Sequence, residues 1–392
     1  MSAAMRKVLA VTGIRSEYDI LYPVLREIDA RPGLDLALAV CGAHLSPWHG
    51  NSLDRIEADG FRVADRIDSL LSTDRVTQRA KGAGLIIQAL AQTVERERPD
   101  FLLVVGDREE SIATAVVGNY MDVLTAHIGG GDPVYGNADD PLRFAVSRLA
   151  HVHFVFAEAY GDNLVRMGEE AFRVVHSGNP SLANVLAVPG MDQAELSARL
   201  GLDLSGGFVV LLKHPLSSER ESAGEQMRMT LQATCDFAAG RGLKVVGIHP
   251  NTDPGACDIL EAVAAFEGLP HVRFFKNLER GVFINVIRRA RCLVGNSSMG
   301  ILEAPFYGLP VVNVGRRQAG RLNAGNVIFT GYGGGEILAA LERSCFDEAY
   351  RKSVRELVNP YGDGTAPGII ADTLEAIDPR DERWRIKRRL VP

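Results

Sequence analysis

The chain has 392 residues, of which 46% are hydrophobic and 23% charged, and its formal net charge is −6. This length predicts about two or three domains, and the acidic balance excludes a nucleic-acid-binding protein held by a broad basic surface. The five cysteines are widely spaced, which predicts neither a disulfide framework nor a zinc site and is typical of a reducing cytoplasm.

The first predicted element is a β-strand near the start of the chain, where an apolar run covers residues 8–13. The run is too short for a signal peptide, and no apolar stretch is long enough to cross a membrane. We therefore expect a cytoplasmic protein that binds neither a membrane nor a nucleic acid.

Apolar segments of strand length alternate with amphipathic segments of helical length along the first half of the chain. Helices are predicted over residues 84–97 and 141–150. Uninterrupted apolar strands that alternate with helices are typical of parallel βαβ units, because helices cover both faces of such a sheet. The predicted strands of this half cover residues 8–13, 36–42, 101–107, 124–131, 153–157 and 173–178.

A second series of the same kind follows Pro189, with helices predicted over residues 224–239 and 300–308. The two series predict an α/β protein with two doubly wound, Rossmann-like domains that face a cleft, which is a glycosyltransferase-B-like arrangement. The predicted strands of the second series cover residues 208–214, 243–250, 272–275, 292–298, 310–315 and 326–331.

The predicted domain boundaries divide the chain into three parts. The N-terminal domain covers residues 1–180 and the C-terminal domain covers residues 181–366. A helix and a basic tail occupy residues 367–392, and we expect the helix to pack against the N-terminal domain. The tail from residue 379 has six basic and two acidic residues, so it either contacts an acidic partner or, as we favour, is a solvated terminus.

Charged residues follow the predicted strands of the N-terminal domain, at the edge where open parallel sheets bind ligands. Arg15 follows the first strand and either binds a phosphate or pairs with Glu17 at the surface. Asp107, next to Arg108, ends the third strand and is either a general acid or base or, as position alone favours, a helix N-cap. His44 is a weaker candidate after the second strand.

A glycine-rich loop follows the fourth predicted strand. Its three glycines at residues 129–131 allow the backbone to approach a ligand closely, and Asp132, Asp139 and Arg143 come after them. Carboxylates and an arginine in so short a span indicate a reactive loop. The alternative is a polar, capped loop that leads into the next helix.

The C-terminal domain carries groups that suit a phosphate. His214 follows Lys213 at the end of a strand and is either an anion ligand or a structural histidine. The turn over residues 295–300 offers backbone N–H groups and serine hydroxyls, which form a phosphate cradle or a serine N-cap. Arg317 and Arg321 indicate a diphosphate clamp or a solvated basic loop.

Phosphate-type groups in one domain and carboxylates in the other predict a nucleotide-sugar enzyme. Glu303 follows the cradle by one helical turn, where it either accepts hydrogen bonds from ribose hydroxyls or is an exposed helical residue. A nucleoside diphosphate on the C-terminal domain would present its sugar to the acids of the N-terminal domain.

Several segments along nearly the whole chain match one enzyme family. They read VTGIRSEYDILYPVLREI, GAHLS, LLVVGDREES, AHIGGGD, NADDPLR, HVHF, GNSSMGILEAPFYGLPVVNVGRRQAGR and NPYGDG. Through these segments the chain resembles the hydrolysing UDP-N-acetylglucosamine 2-epimerases of sialic and legionaminic acid biosynthesis. Few other families share both the strand-end GDR and the GNSSxGIxEAP segment.

The resemblance implies roles for individual residues, including catalysis by Asp107 and Asp139, ribose binding by Glu303 and base binding by the turn over residues 275–278. It implies diphosphate ligands at Arg15, His214, Ser297, Ser298, Arg317 and Arg321. The complete set of predicted catalytic residues is Asp107, Asp132, Asp139 and His214. The predicted substrate- and nucleotide-binding residues are Arg15, His44, Arg108, Arg143, Phe275, Leu278, Asn296, Ser297, Ser298, Gly300, Glu303, Arg317 and Arg321.

The resemblance implies a reaction in two steps, in which anti elimination of UDP gives a glycal and water then adds with inversion at carbon 2. The products are UDP and free N-acetylmannosamine or a 2,4-diacetamido analogue. Elimination needs a placed base and preorganised positive charge, and neither step needs a metal or a redox cofactor. The resemblance also implies a homodimer.

Three positions depart from the family pattern. Gly129 stands where the family has Glu or His, Asp132 stands where it has Glu, and Phe144 follows Arg143 where it has His. The nucleotide side therefore matches the family, while the sugar side differs. The departures predict a different sugar, an acid–base role for Asp132 or reduced activity, and a UDP- or GDP-linked diacetamido sugar is an alternative substrate.

Three other functions stay open from the sequence. A non-hydrolysing epimerase would return a nucleotide sugar instead of a free sugar. A glycosyltransferase of the same fold would bind a second, acceptor sugar and would not need several carboxylates around carbon 2. A nucleotide-sugar-binding protein without catalysis is the third alternative, and Gly129 argues for it.

Overall fold

The structure is a computed structural model that describes residues 5–47, 52–71, 77–134, 139–250 and 253–387, apart from the side chain of Asp139. The described strands are β1 Arg6–Thr12, β2 Leu34–Cys41, β3 Val63–Ile67, β4 Phe101–Val105, β5 Leu124–Ile128, β6 Val152–Val155, β7 Val174–His176, β8 Phe208–Leu212, β9 Lys244–Ile248, β10 Val272–Phe275, β11 Leu293–Gly295, β12 Val311–Val314 and β13 Val327–Thr330.

The described α-helices follow the strands in alternation through most of the chain. They are α1 Arg15–Asp29, α2 Leu53–Ala58, α3 Thr77–Glu97, α4 Glu109–Met121, α5 Asp139–Leu149, α6 Glu158–Arg166, α7 Leu182–Ala187, α8 Gln193–Leu200, α9 Ala223–Gly240, α10 Ala256–Ala264, α11 Arg280–Arg289, α12 Met299–Leu302, α13 Gly334–Phe346, α14 Glu348–Arg355, α15 Ala366–Ala376 and α16 Glu382–Arg385.

The chain forms two units of packed structure. The first comprises Met1–Pro133, Ala138–Asn184 and Tyr361–Pro392, and the second comprises Val134–Asn137 and Val185–Pro360, in each case as far as these residues are described. These ranges differ from the predicted domain boundaries around residues 181–184 and 361–366, and the predicted boundaries stay predictions. None of the described helices combines the length and apolar character needed to cross a membrane.

The first unit is built on a parallel sheet of seven strands in the order β3-β2-β1-β4-β5-β6-β7. β1 and β4 lie side by side at its centre, and their apolar side chains are buried. Leu9 and Leu102 pack with Ile86 and Leu90 of α3 in one core. A strand buried on both faces needs an almost uninterrupted apolar sequence, which is what makes these strands recognisable.

The second unit repeats the same winding in a six-stranded parallel sheet of order β10-β9-β8-β11-β12-β13. Successive side chains of β8 enter two cores. Val209 and Leu211 pack with α9 and α13, whereas Phe208 and Val210 pack with α8 and α11. This alternation follows from the two-residue period of a strand and places helices on both faces of the sheet.

Two local expectations differ from the structure. β3 was not predicted, because its side chains are partly exposed and include Asp65 and Arg66, as befits a strand at the edge of a sheet. The helix expected over residues 300–308 is instead the four-residue α12 and a 3-10 helix over Ala304–Tyr307. Pro305 lacks a backbone N–H, so it cannot continue the α-helical hydrogen bonds.

The C-terminal segment is held within the first unit by backbone and side-chain contacts. Arg173, which is fully buried, donates to the carbonyls of Arg383, Trp384 and Ile386 at 2.6, 2.7 and 2.9 Å. Lys387 Nζ donates to the carbonyl of Arg148 at 2.8 Å and lies 2.7 Å from Glu169. Most side chains of this segment are exposed, yet its backbone is anchored, so the interpretation as a freely solvated terminus is wrong for residues 383–387.

Candidate functional site

Each sheet has a topological switch point, at which the connections of two neighbouring strands leave toward opposite faces. In the first unit it lies between β1 and β4, and in the second it lies between β8 and β11. The crevice outside the carboxyl ends of such strands is where open α/β sheets bind ligands. The residues that follow these four strands are therefore the first candidates for a site in each unit.

Asp107 follows β4 at the switch point of the first unit and is bound by Arg143 of α5. One Arg143 amino group contacts the Asp107 carboxylate, and the other donates to the carbonyl of Gly129 at 2.8 Å. The first residue before α4 is Arg108, with no side-chain cap, so the helix-cap interpretation of Asp107 is wrong. A carboxylate oriented by a forked guanidinium is suited to exchange a proton with a ligand.

Gly129 has a backbone conformation that explains why no side chain stands there. Its φ is +82°, in the left-handed region that residues with a Cβ rarely adopt, and a Cβ would lie 3.1 Å from the Phe156 ring. The carbonyl of Gly129 instead accepts from Arg143. An acid–base side chain at this position would strain the backbone and crowd Phe156, and the predicted acids of this unit lie elsewhere.

His127 supports the strand end that carries Asp107. Its imidazole is fully buried, and Nε2 donates to the carbonyl of Gly106 at 2.7 Å, while Nδ1 lies 3.2 Å from the hydroxyl of Ser147 on α5. Burial lowers the pKa of His127 to about 3, so the ring is neutral and holds its proton toward Gly106. A neutral histidine in this setting positions the loop and does not serve as a base.

Two buried glutamates, Glu17 on α1 and Glu110 on α4, lie beneath the same strand ends. The Glu110 carboxylate occupies the space next to Gly13, where a Cβ would be only 1.8 Å from its Oε1, and Arg108 Nε lies 3.8 Å from its Oε2. Burial, followed by the charge of Glu109, raises the pKa of Glu110 to about 7. Burial and the charge of Glu110 raise the pKa of Glu17 well above its usual range.

We expect Glu110→Gln to flatten the dependence of stability on pH. The folded protein keeps a proton on Glu110 between about pH 4.5 and 7 that the unfolded chain releases, so wild-type stability falls as the pH rises through that range. The difference over this range is on the order of 2 kcal/mol. Thermal unfolding of wild type, Glu110→Gln and the exposed control Glu95→Gln between pH 5 and 8 measures it. Parallel curves for wild type and Glu110→Gln would contradict the assignment.

Arg15 and His44 lie near the switch point of the first unit with different surroundings. Arg15 is half-buried, its pKa is lowered by burial, and the described residues include no ion pair between it and Glu17. His44 is fully buried, with Nε2 at 3.0 Å from the Thr12 hydroxyl and Nδ1 at 2.7 Å from the Ser52 hydroxyl. Both ring nitrogens of His44 are engaged inside the protein, and its predicted role in ligand binding stays a prediction.

In the second unit, Asn296 joins the two strand ends that flank the switch point. Its side chain accepts from the backbone N–H of His214 at 2.7 Å and donates to the carbonyl of His214 at 2.9 Å. This reciprocal pair fixes the turn after β8 against the turn after β11. Burial and the charge of Arg317 lower the pKa of His214 to about 3, so the ring is neutral.

The arginine-containing loop after β12 is bound to the same turn. Arg317 Nη1 and the Gln318 amide both donate to the carbonyl of Asn296 at 3.0 Å, and Arg321 Nη1 donates to the Gln318 side chain at 2.7 Å. Arg321 is buried, and Arg317 is half-buried. The loop is therefore ordered by the strand-end turn, in contrast to the alternative of a solvated basic loop.

The remaining predicted residues of the second unit lie on either side of these turns. Ser297 Oγ accepts from the N–H of Met299 at 3.4 Å, and Ser298 precedes α12, whose second residue is Gly300. Glu303 directly follows α12 and is half-buried. Phe275 and Leu278 are half-buried and pack against the core formed with β8, so the predicted base-binding turn has an anchored inner face. Their roles in binding stay predictions.

Some predicted residues are only partly described. Asp132 is fully buried at the end of the glycine-rich loop, residues 135–138 lie outside the described ranges, and Asp139 is described only as the first residue of α5. Within the described ranges, no group of three or more His, Cys, Asp or Glu side chains is arranged to hold a metal ion. The expectation of a reaction without a metal or cofactor stays a prediction.

Comparison with known proteins identifies the family. The pattern of the family described as UDP-N-acetylglucosamine 2-epimerase matches residues 26–375. The chain belongs to this family. Among its relatives, the UDP-N,N'-diacetylbacillosamine 2-epimerase (hydrolyzing) of Legionella pneumophila is 33% identical over 360 residues, which cover 92% of this chain and 93% of that protein. The GDP/UDP-N,N'-diacetylbacillosamine 2-epimerase (hydrolyzing) of Campylobacter jejuni is 28% identical over 325 residues, which cover 82% of this chain and 84% of that protein.

Solved structures share the fold of this epimerase-family chain. The UDP-GlcNAc 2-epimerase from Neisseria meningitidis, bound to UDP-GlcNAc, superposes with a TM-score of 0.79 at 20% identity, covering 94% of this chain and 99% of that one. The calicheamicin glycosyltransferase CalG4 superposes with a TM-score of 0.57 at 17% identity, covering 95% and 98%. These similarities confirm the predicted α/β class with two Rossmann-like domains, and the family match confirms the resemblance.

Four buried residues near the switch points of this epimerase-family chain were not among the predicted site residues. They are Glu17, Glu110, His127 and Lys213, each of which lies on or directly after an element that borders a switch point or supports it. The local sequence predicts Glu17 and Glu110 to be acidic residues in the first turn of a helix, and acidic residues at such positions are common on protein surfaces. The available signal was their position, since both lie in the first turn of the helices that follow the two strands at the centre of the sheet.

Proposed function

We propose that the chain is a hydrolysing nucleotide-sugar 2-epimerase. Its substrate is UDP-N-acetylglucosamine or a UDP- or GDP-linked 2,4-diacetamido sugar, and its products are the free 2-epimer and the nucleoside diphosphate. Membership of the epimerase family and the names of the Legionella and Campylobacter relatives support this proposal. The observation on which it depends is the Asp107 carboxylate, oriented by Arg143 at the switch point of the first unit.

The proposed first step removes the proton from carbon 2 of the sugar and breaks the bond between carbon 1 and the diphosphate oxygen. The electron pair of the C–H bond forms the double bond of a glycal, and the diphosphate leaves with the bonding pair. Asp107 is the proposed base, with Asp132 and Asp139 as the other acid–base groups of the first unit. A carbon acid this weak reacts only with a base that is already positioned, which is what the Arg143 contact supplies.

The second unit is proposed to bind the nucleoside diphosphate through Arg317, Arg321 and the turn over residues 295–300. Preorganised cations and N–H groups lower the energy of the departing diphosphate most, because its negative charge grows as the bond breaks. The neutral His214 supplies an N–H donor there. In the second step water adds to carbon 1 and a proton returns to carbon 2 on the opposite face, so the glycal becomes the free 2-epimer. A homodimer and a cytoplasmic location stay predictions.

Turnover in deuterated water, followed by NMR, tests the proposed reaction. UDP-N-acetylglucosamine and UDP- and GDP-linked 2,4-diacetamido sugars are supplied separately, with a protein-free control. We expect one of them to give the nucleoside diphosphate and a free sugar that carries deuterium at carbon 2, because solvent supplies the returning proton. Deuterium in a nucleotide sugar without release of free sugar indicates a non-hydrolysing epimerase. Absence of both turnover and exchange with every substrate would exclude an epimerase and leave transfer or binding alone.

A further inference from the structure

Lys213 is a buried cation at the switch point of the second unit. It directly follows β8, the strand that borders β11, and it is only 1% exposed. The next residue, His214, is bound through its backbone to Asn296, whose carbonyl accepts from Arg317. The Lys213 stem therefore leaves the sheet among the residues proposed to hold the diphosphate.

The groups that face the Lys213 ammonium are Tyr332, Glu219 and Arg317. The ammonium lies 5.1 Å from the centre of the Tyr332 ring. Glu219 is already engaged, because it accepts from the Tyr332 hydroxyl at 2.7 Å and from Gln226 at 2.8 Å and pairs with Arg316. Among the residues that the structure describes, Lys213 has no hydrogen-bond acceptor and no carboxylate in ion-pair contact.

An ammonium in this setting is costly for the folded protein. Removal from water, without an acceptor, destabilises the charged form, and the ring of Tyr332 recovers only part of that loss. Burial lowers the pKa of Lys213 to about 8 against the opposing charge of Glu219, and the charge of Arg317 contributes to the lowering. An anion that binds to such a cation removes this cost, because it pairs the buried charge.

We propose that Lys213 is a direct ligand of the diphosphate, donating from its ammonium to a phosphoryl oxygen of the bound nucleotide. This inference rests on the proposed function and adds to it a cation that becomes fully paired only when the nucleotide is present. A compact ammonium on a flexible stem can follow the oxygen as the diphosphate leaves, whereas Arg317 is held by its hydrogen bond to Asn296. Lys213 thus stabilises the leaving group more than the intact substrate.

The test is the affinity of the full-length protein for UDP and GDP, measured by calorimetry at pH 7 for wild type and Lys213→Met. We expect Lys213→Met to weaken binding of the cognate nucleoside diphosphate by about tenfold or more, which is the effect of losing one charge-assisted contact. The unliganded variant should unfold at the same temperature as wild type or higher, because an unpaired buried charge has been removed. Lys213→Arg should weaken binding less than Lys213→Met, since it keeps the charge.

Lys244→Met is the matched control, because Lys244 begins β9 at the amino end of the strands, whereas Lys213 follows the carboxyl end of β8, and we expect this variant to bind like wild type. Wild-type affinity should fall as the pH rises above about 8, and Lys213→Met should lack that fall. Unchanged affinity in Lys213→Met, or a lowered unfolding temperature together with the lost affinity, overturns the proposal, as does a wild type that binds neither nucleotide. Turnover is assayed separately, so failure of the epimerase reaction with intact, Lys213-dependent binding refutes the proposed function and not this ligand.

Discussion

Asp107→Asn is expected to lower turnover by about 10³-fold while affinity for the nucleoside diphosphate stays within about a factor of three. The amide has the shape of the carboxylate and can still accept from Arg143, so the strand end keeps its geometry. In the proposed reaction, the amide cannot take the proton from carbon 2 of the sugar. Nucleoside diphosphate release measures turnover, and calorimetry measures affinity on the same protein preparation.

The control for Asp107→Asn is Asp372→Asn on α15. The Asp372 side chain is 71% exposed and pairs with Arg31 at the surface, so its loss should change neither turnover nor affinity measurably. Near-normal turnover of Asp107→Asn would show that another group is the base. A parallel loss of turnover and affinity would instead make Asp107 a binding residue.

Arg173→Met is expected to lower the free energy of unfolding by about 3 kcal/mol. The substitution leaves the carbonyls of Arg383, Trp384 and Ile386 without their donor and removes the ion pair between Arg173 and Glu170. Removal of residues 379–392 should be more harmful, at about 4 kcal/mol, because it removes these acceptors together with the Lys387 contacts to Arg148 and Glu169. Urea unfolding of the full-length and shortened proteins measures both effects.

Arg173→Met in the shortened protein distinguishes loss of the Arg173 contacts from a general effect of shortening the chain. In the shortened protein, Arg173→Met should cost far less than in the full chain, since the acceptors of the C-terminal segment are already gone. Arg166→Met, an exposed position on α6, is the control and should have almost no effect in either background. Additive effects of shortening and Arg173→Met would contradict a contact between the arginine and the C-terminal segment.

The strands that carry the site were predictable because each is a nearly continuous apolar segment. β1, β4, β8 and β12 are buried on both faces, and their nearly continuous apolar sequences indicate this burial. β3 carries Asp65 and Arg66 at a sheet edge, so nothing in its local pattern separates it from a loop. Parallel strands have their carboxyl ends at the same edge of a sheet. The predicted strands therefore also predicted the edge at which the polar residues of each unit lie.

The partners of those polar residues were not predictable in the same way. Position alone favoured Asp107 as a helix cap, but its partner is Arg143, 36 residues later in the chain. His44 read as a possible ligand residue, yet both of its ring nitrogens are taken by Thr12 and Ser52. These contacts between residues far apart in the chain depend on how α5 and α2 pack against the sheet. The sequence next to each residue does not indicate that packing.

Residue order along the chain was enough to establish alternating strands and helices, the family and the strand ends at which chemistry is expected, because periodicity and short motifs are local properties. Which charged residues are buried was decided by the tertiary structure alone. Glu17, Glu110 and Lys213 are ordinary surface residues by type, and they become buried because strand ends and helix starts close around them. The free energy of a charge depends on solvent and on charges brought near from distant parts of the chain, and only the tertiary structure supplies these.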